Sequence, residues 1–467
     1  MFVITYEHIV GIILTLLLVT AVGVYSGRKI KSAADFAVGG RKAGSGIIAG
    51  TIMGTLVGGA STVGTAQLAF KYGLSAWWFT LGGGIACFFL AVFLARPLRE
   101  MELETIPQLL VKNYGDAAGL ASSIFTSIGM FINIVPQVLS AIALLTAMFN
   151  INPLTAAMIA VVMIIGYVFF GGVWGSGIVG MVKLGLMYIT LSISGLIAYK
   201  MVGGFSGLNH SFPSYPWFSL FGRGLNEDLT AAFSMLVGVM STQTYIQAMF
   251  SGKNARVSRN GALISAIMIP PIGVAGILVG LYMRNNFPNI NPAEALPVFV
   301  LKFLNPWLGG VVLATLLIAV MGTGAGLTLG VSTVLARDVY KKIINKNADD
   351  KNILLVSRIL IVCVVATSLF FVTGNLKAII LQWSFMSMGL RGATVFFPLL
   401  GAIFLKGSID PKYGVMAICF APLAVLFWKI LFPSFFSPLL AGLIVSFLFL
   451  TAGFIKNKKR CMQSISE

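Results

Sequence analysis

The chain is a succession of long apolar runs divided by short polar punctuation. A helix needs roughly 20 apolar residues to cross the hydrocarbon core of a bilayer. About thirteen runs qualify, at 6–26, 46–70, 75–95, 118–147, 153–171, 174–200, 229–250, 260–283, 307–336, 354–374, 377–405, 411–430 and 435–455. No short-period repeat or low-complexity tract interrupts them. The pattern predicts an all-α polytopic membrane protein, a single integral domain over 1–467.

Two of these runs are interrupted. The second carries Gly54, Gly58, Gly59 and Gly64 around Ser61-Thr62, and the seventh carries Gly238 followed by Ser241-Thr242-Gln243-Thr244. Glycines and hydroxyls weaken the helix ladder and free backbone carbonyls, which is tolerated at membrane depth only beside a cavity or other protein. A pair of broken spans, each opening a group of five, points to a transporter of two inverted repeats with its site near the midplane. The division is then an extra span and loop at 1–45, a first repeat at 46–200, a second at 229–405, and two extra spans with a tail at 411–467.

Composition agrees and excludes other classes. With 58% hydrophobic residues, only 10% charged and a mean hydropathy of +0.94, no ordinary soluble core is described. A net charge of +18 would suggest nucleic acid in a soluble protein. Here most of the 32 Lys and Arg fall in alternate loops, among them Arg28, Lys29, Arg41, Arg99, Lys253, Arg256, Lys341, Lys342 and Lys456 to Arg460. The positive-inside rule therefore predicts an outside N-terminus and an inside C-terminus, in a plasma or bacterial inner membrane, with the lipid bilayer as partner and no nucleic acid. Glu7 precedes the first run and Gly27-Arg28-Lys29 follows it, so that run is expected to stay as an anchor. Cys87, Cys363 and Cys419 lie within runs and Cys461 in the tail, so no disulfide framework is expected.

Charge at depth is the sharper signal. Lys183 and Arg391 each lie in the middle of an apolar run, and no Asp or Glu does. A buried charge costs about 2.5–3.5 kcal/mol on insertion scales, so it survives facing a cavity, a partner or a substrate. Two cations without a carboxylate imply an anionic visitor, or a cation site already filled by the protein. Lys183 is about nine residues into its run, roughly 14 Å at the helical rise, which is far for snorkelling. Arg391, in Met388-Gly389-Leu390-Arg391-Gly392-Ala393-Thr394, has small neighbours. Its planar fork suits a carboxylate; the other reading is an arginine bonded to the freed backbone of a broken helix.

Several segments together resemble the sodium/solute symporters, the family of proline, pantothenate, sugar and sialic-acid carriers. They are Asp35-Phe36-Ala37-Val38-Gly39-Gly40-Arg41, Gly59-Ala60-Ser61-Thr62, Gly171-Gly172-Val173-Trp174, Gln243 to Gln247 with Phe250 to Arg256, Ala295-Leu296-Pro297, Ser332-Thr333 and Arg337 to Tyr340. The resemblance runs from about Ala34 to Phe404 and implies an inverted-repeat fold of five plus five helices.

It also implies a sodium site made of the carbonyls of Ala60, Val63 and Ala319 and of side chains at 322 and 323. Here 322 is Gly, and only Thr323 keeps a hydroxyl. The family's frequent acidic and serine positions beyond are Ala325 and Gly326, and the aspartate that supports a second cation in some members aligns with Gly180. Lys183 follows one turn later on nearly the same face. In some sodium-independent carriers of the wider superfamily a lysine on this helix puts its ammonium where sodium would sit. The expectation is that Lys183 fills the vacated cage between the Ala60 and Val63 carbonyls and Thr323, and carries a coupling proton. For the substrate cavity the resemblance and position together nominate Thr62, Gln67, Trp77, Trp78, Gln137, Thr242, Gln243 and Arg391. Thr80 stands where the sugar carriers are acidic, which argues against a sugar.

The functional expectation is a secondary transporter taking up a small, carboxylate-bearing organic solute by alternating access, with Na+ or H+ as coupling ion and no cofactor. Two couplings stay open: sodium symport, as the resemblance implies, and a sodium-independent cycle, as the ion-site residues imply. A membrane nutrient sensor would need a separate signalling partner, since the tail past Lys456 is about a dozen residues. An enzyme is disfavoured by the absence of any buried acid–base pair or metal-ligand spacing; His8 and His210, the chain's 2 histidines, both lie in outside segments. A channel is disfavoured by the lack of a filter-like segment.

Overall fold

The structure, a computed structural model, describes residues 4–27, 41–103, 105–171, 178–431 and 437–466. Of the segments singled out above, Asp35 to Gly40 and Gly172 to Trp174 lie outside the described residues.

The apolar runs are helices. In chain order they are α1 (Tyr6–Gly27), α2 (Ser45–Leu56), a π-helical turn (Ala60–Gly64) leading into α3 (Thr65–Tyr72), and α4 (Trp78–Phe89). Next come α5 (Ile106–Tyr114), α6 (Asp116–Ile132), α7 (Ile134–Phe149), α8 (Pro153–Gly171) and α9 (Ile178–Met201). The second half contains α10 (Leu225–Met240), α11 (Gln243–Ser251), α12 (Ala255–Asn286), α13 (Ala295–Phe303), α14 (Pro306–Val334), α15 (Asp350–Thr373) and α16 (Ile380–Phe404). The chain closes with α17 (Pro411–Leu431) and α18 (Pro438–Ser466).

Among the described residues nine helical segments are long and apolar enough to cross a membrane, ten if the bent pair α10 and α11 counts as one, and Tyr6–Val22, Ser45–Leu56 and Pro153–Phe169 are shorter apolar helices. Their starts follow from side chains able to accept from the free N–H groups of a first turn. Thr105 and Gln108 form a capping box on α5, Asn254 accepts from Val257 N–H on α12, Asn305 from Trp307 N–H on α14, and Asp349 from Asn352 N–H on α15.

Burial sorts the helices into an inner set and a lipid-facing set. The apolar window of α14 is 83% buried, whereas that of α15 is only 17% buried. Leu354, Leu355, Ile359, Val362 and Phe370 of α15 all stand exposed. Apolar surface this continuous would drive association in water; against acyl chains it is the ground state. The inner set, including α6, α7, α14 and α16, packs beside the two broken spans, α2 with α3 and α10 with α11.

Both breaks lie where glycine and hydroxyl residues cluster. Helix α2 ends at Leu56; Val57 is extended, at φ −89° and ψ 94°, and the chain rewinds at Ala60. Helix α10 ends at Met240, with Ser241 at φ −116°, ψ 4° and Thr242 at φ −91°, ψ 123°. Helix α11 then sets off at 43° to α10.

Candidate functional site

A helix that stops inside protein leaves its last carbonyls without N–H partners and with a negative partial charge. Here each of the two broken spans meets a buried cation at that end.

At the first break the cation is Lys183. It is 3% exposed, and its Nζ donates to the carbonyl of Gly54 at 2.6 Å and to Thr323 Oγ1 at 3.4 Å. Gly54 O is one of the carbonyls stranded by the break, because the N–H of Gly58 turns instead to Ser61 Oγ. Helix α9 reaches α2 through glycine: a Cβ on Gly180 would stand 2.7 Å from the carbonyl oxygen of Gly50 and 3.7 Å from Gly54 Cα. Gly322 faces the same spot, since a Cβ there would lie 4.0 Å from Lys183 Nζ and 3.6 Å from the Tyr167 hydroxyl. A side chain at 322 would therefore start in contact with the ammonium.

The expected cage of Ala60, Val63 and Thr323 is corrected in one respect. Lys183 and Thr323 meet, but the carbonyl partner is Gly54. The reason is the position of the break, which falls at Val57. Ala60 and Val63 are already wound into the π turn, where the Ala60 carbonyl accepts from Thr65 Oγ1 at 3.3 Å. Ala319 is fully buried on α14, one turn before Thr323.

At the second break the cation is Arg391, 1% exposed. Nη1 donates to Thr242 Oγ1 at 2.9 Å, Nη2 to Ser387 Oγ at 3.0 Å and to Met388 Sδ at 3.2 Å, and Nε to the Ser387 carbonyl at 3.3 Å. The Thr242 hydroxyl in turn donates a hydrogen bond to the carbonyl of Gly238 at 2.6 Å, three residues before the break. The stem of Arg391 runs against Gly129 of α6, where a Cβ would stand 2.5 Å from Arg391 Cγ, and Ser387 Oγ donates to the Gly129 carbonyl. Among the described residues ion pairs form at Arg41, Arg99 and Glu102, at Arg96 and Glu100, at Arg223 and Asp228, at Lys342 and Asp338, and at Lys456 and Asp410. Neither Lys183 nor Arg391 joins one.

The remaining residues nominated for a cavity serve backbone. Gln137 accepts from Gly59 N–H at 2.9 Å and so caps the restart after the first break. Thr62 donates to the Gly58 carbonyl. Gln67 donates to Ala378 O at 3.1 Å and accepts from Ile380 N–H at 2.8 Å, pinning α3 to the start of α16. Trp77 and Trp78 donate their indole N–H groups to the carbonyls of Pro270 and Leu220. Gln243 accepts from Ile106 N–H. These bonds have one physical cause: broken helices expose backbone, and carboxamides, indoles and hydroxyls are what satisfies it. The sequence reading missed Gly54, Ser387 and Gly129. For Gly54 a signal was available, since Gly50-x-x-x-Gly54 is the small-residue spacing that lets a neighbouring helix approach.

The sequence and the fold have known counterparts. The sequence model of the sodium:solute symporter family matches residues 36–410. The chain belongs to that family. Among curated relatives, High-affinity choline transporter 1 of Drosophila melanogaster is 24% identical over 389 residues, 76% of this chain and 60% of that protein. The sodium/proline symporter of Haemophilus influenzae is 22% identical over 383 residues, 75% of this chain and 74% of that one. The chain thus spans about three fifths of the fruit-fly protein. Among solved structures, a substrate-bound, outward-open Na+-coupled sialic acid symporter superposes with a TM-score of 0.75 at 17% identity, covering 97% of this chain and 98% of that one. This chain is accordingly a multi-pass membrane member of the symporter family, and its Lys183 and Arg391 sit at the two helix ends where the spans break.

Proposed function

We propose that this family member takes up a small organic solute by alternating access, with the Lys183 ammonium holding the place at the end of α2 that a coupling sodium takes in sodium-dependent carriers. The observation that carries the reading is the contact of Lys183 Nζ with Gly54 O and Thr323 Oγ1. A monovalent cation needs a shell of hard oxygens, and a tethered ammonium occupies the same electrostatic position without leaving it. A symporter needs an ion that binds and departs, and from a lysine only the proton departs. The coupling ion in this reading is therefore H+ on Lys183 Nζ. Thirteen spans, an outside N-terminus, an inside C-terminus and inverted repeats at 46–200 and 229–405 complete the proposal, on the strength of the two broken helices and the loop charge.

The solute is of the size class of choline and proline, which the relatives' names give for those proteins. Its expected carboxylate rested on Arg391, whose N–H groups go to Thr242, Ser387 and Met388, so the reading keeps a small organic solute and drops the assigned charge.

Sodium binding can be tested before the solute is known. A ligand that binds only the folded state raises its stability as RT ln(1 + [L]/Kd). Purified protein melted in NaCl and in N-methyl-D-glucamine chloride of equal ionic strength should show the same midpoint. A clear sodium-induced rise in the wild-type protein would overturn the lysine substitution. In proteoliposomes, uptake of labelled proline and choline should follow an imposed proton gradient and ignore a sodium gradient.

A further inference from the structure

The two cation sites correspond position by position. Gly54 lies three residues before the extended Val57, and Gly238 three residues before Ser241, where its helix ends. Gly180 and Lys183 are three apart on α9; Met388 and Arg391 are three apart on α16. The first residue of each pair makes the helix crossing. A Cβ on Gly180 would touch Gly50 O at 2.7 Å, while a Cβ on Gly238 would touch Met388 Cβ at 2.5 Å. The second residue of each pair delivers the charge. Lys183 reaches the Gly54 carbonyl directly, and Arg391 reaches the Gly238 carbonyl through Thr242.

We infer that Arg391 is a positioning residue, a second tethered cation that holds the break between α10 and α11 by charging the carbonyl end of α10 through the Thr242 hydroxyl. Three observations exclude a bystander. The guanidinium is buried without a carboxylate, so its charge is met by dipoles: the Ser387 carbonyl and hydroxyl on its own helix and, through Thr242, the end of α10. Thr242 is polarised in one direction, accepting from the cation and donating to the carbonyl, so the bonds reinforce one another. The crossing is also too close to leave Arg391 another course, since a Cβ on Gly392 would stand 2.1 Å from Val237 Cγ2 and one on Gly129 2.5 Å from Arg391 Cγ. The geometry at Thr242 fixes the turn that follows, because its carbonyl accepts the N–H groups of Tyr245 and Ile246 and opens α11. This inference concerns the second break and stands whether or not Lys183 replaces sodium.

Hydrogen exchange of the amides of Ser241, Thr242, Tyr245 and Ile246, which bond to Gly238 O, Val239 O and Thr242 O, tests it without any solute. Arg391→Met should speed exchange there about tenfold or more, the effect of losing a charge-assisted hydrogen bond. Arg391→Lys should restore it to within a few fold. Thr242→Val should reproduce the loss with Arg391 intact, and Thr242→Ser should not. If Arg391→Met does not fold, the two Thr242 variants decide alone. Wild-type exchange in Thr242→Val, or local exchange in Arg391→Met that Arg391→Lys leaves uncorrected, would overturn the proposal.

Discussion

The ammonium of Lys183 donates to the carbonyl of Gly54 over 2.6 Å, across the point where the first broken span stops being a helix. A cation in the last turn of a helix is favourable by about 0.3–1 kcal/mol at the surface and up to about 2 kcal/mol when partly buried. Without solvent the contact also meets an orphaned carbonyl whose desolvation would otherwise be uncompensated.

Removing the lysine should therefore expose a latent cation site. Lys183→Ala leaves Gly54 O and Thr323 Oγ1 facing a vacated volume, and Lys183→Ala with Gly322→Ser adds a hydroxyl at a position whose Cβ lies 4.0 Å from the former amine. The expected outcome is a melting temperature that rises with NaCl in the double variant, less in the single variant and not in the wild type. A sodium response that is equal in all three would mean that Lys183 does not occupy the ion's place.

Gly180 sets how closely α9 can approach α2. An added methyl would sit 2.7 Å from the backbone oxygen of Gly50, and backbone cannot swing aside as a side chain can. Gly180→Ala should cost about 1–3 kcal/mol, the usual price of overpacking, and pull Lys183 away from Gly54. Thermal denaturation would register the loss. For the same reason Gly180→Asp should fail to rebuild a second cation site, and an Asp variant as stable as wild type would refute the close crossing.

The breaks were legible in the sequence because backbone that leaves a helix inside a membrane demands residues that tolerate it. Gly58, Gly59 and Ser61 mark one, and Gly238, Ser241 and Thr242 mark the other. The buried cations were legible because Lys183 and Arg391 stand in the middle of apolar runs, far from either end. What the sequence could not distinguish is the object of a polar side chain. Gln67, Gln137 and Gln243 carry the same donors and acceptors whether they face a solute or a peptide group, and in this fold all three bond backbone. Gly54 was missed as a ligand for a related reason: a carbonyl carries no signature of its residue type, and the spacing Gly50-x-x-x-Gly54 marks only the close approach of a neighbouring helix.

Gln67 joins the second half of the first broken span to the start of α16 by a donor to Ala378 O and an acceptor for Ile380 N–H. A net contribution of about 1 kcal/mol per bond follows for a buried neutral pair, with more when a partner is left unsatisfied. Gln67→Leu removes both bonds and Gln67→Glu removes only the donor. Exchange of the Ile380 amide should therefore speed up markedly in the Leu variant and remain slow in the Glu variant, whose carboxylate still accepts. Equal exchange in both would show that this clamp does not hold α16.

The opposite end of the broken spans is fastened by backbone and by one arginine. Ala43 N–H donates to Ser251 O and Lys253 N–H to Ala43 O, so the residues before α2 pair with those after α11. Arg99 donates to the carbonyls of Gly252 and Lys253 and also lies 3.9 Å from Glu102. These two kinds of contact differ in strength. Glu102 is 69% exposed, and exposed ion pairs contribute roughly 0–1 kcal/mol. The side chain of Arg99 is only 14% exposed, and charge-assisted bonds to backbone are worth about 1.5–3 kcal/mol. Glu102→Gln should accordingly leave the melting temperature nearly unchanged at any ionic strength, while Arg99→Ala should lower it and accelerate exchange of the Ala43 and Lys253 amides. The salt dependence separates the contributions: if Glu102→Gln and Arg99→Ala destabilise equally, and both effects vanish in high salt, the fastening is an exposed ion pair and the backbone contacts of Arg99 contribute nothing.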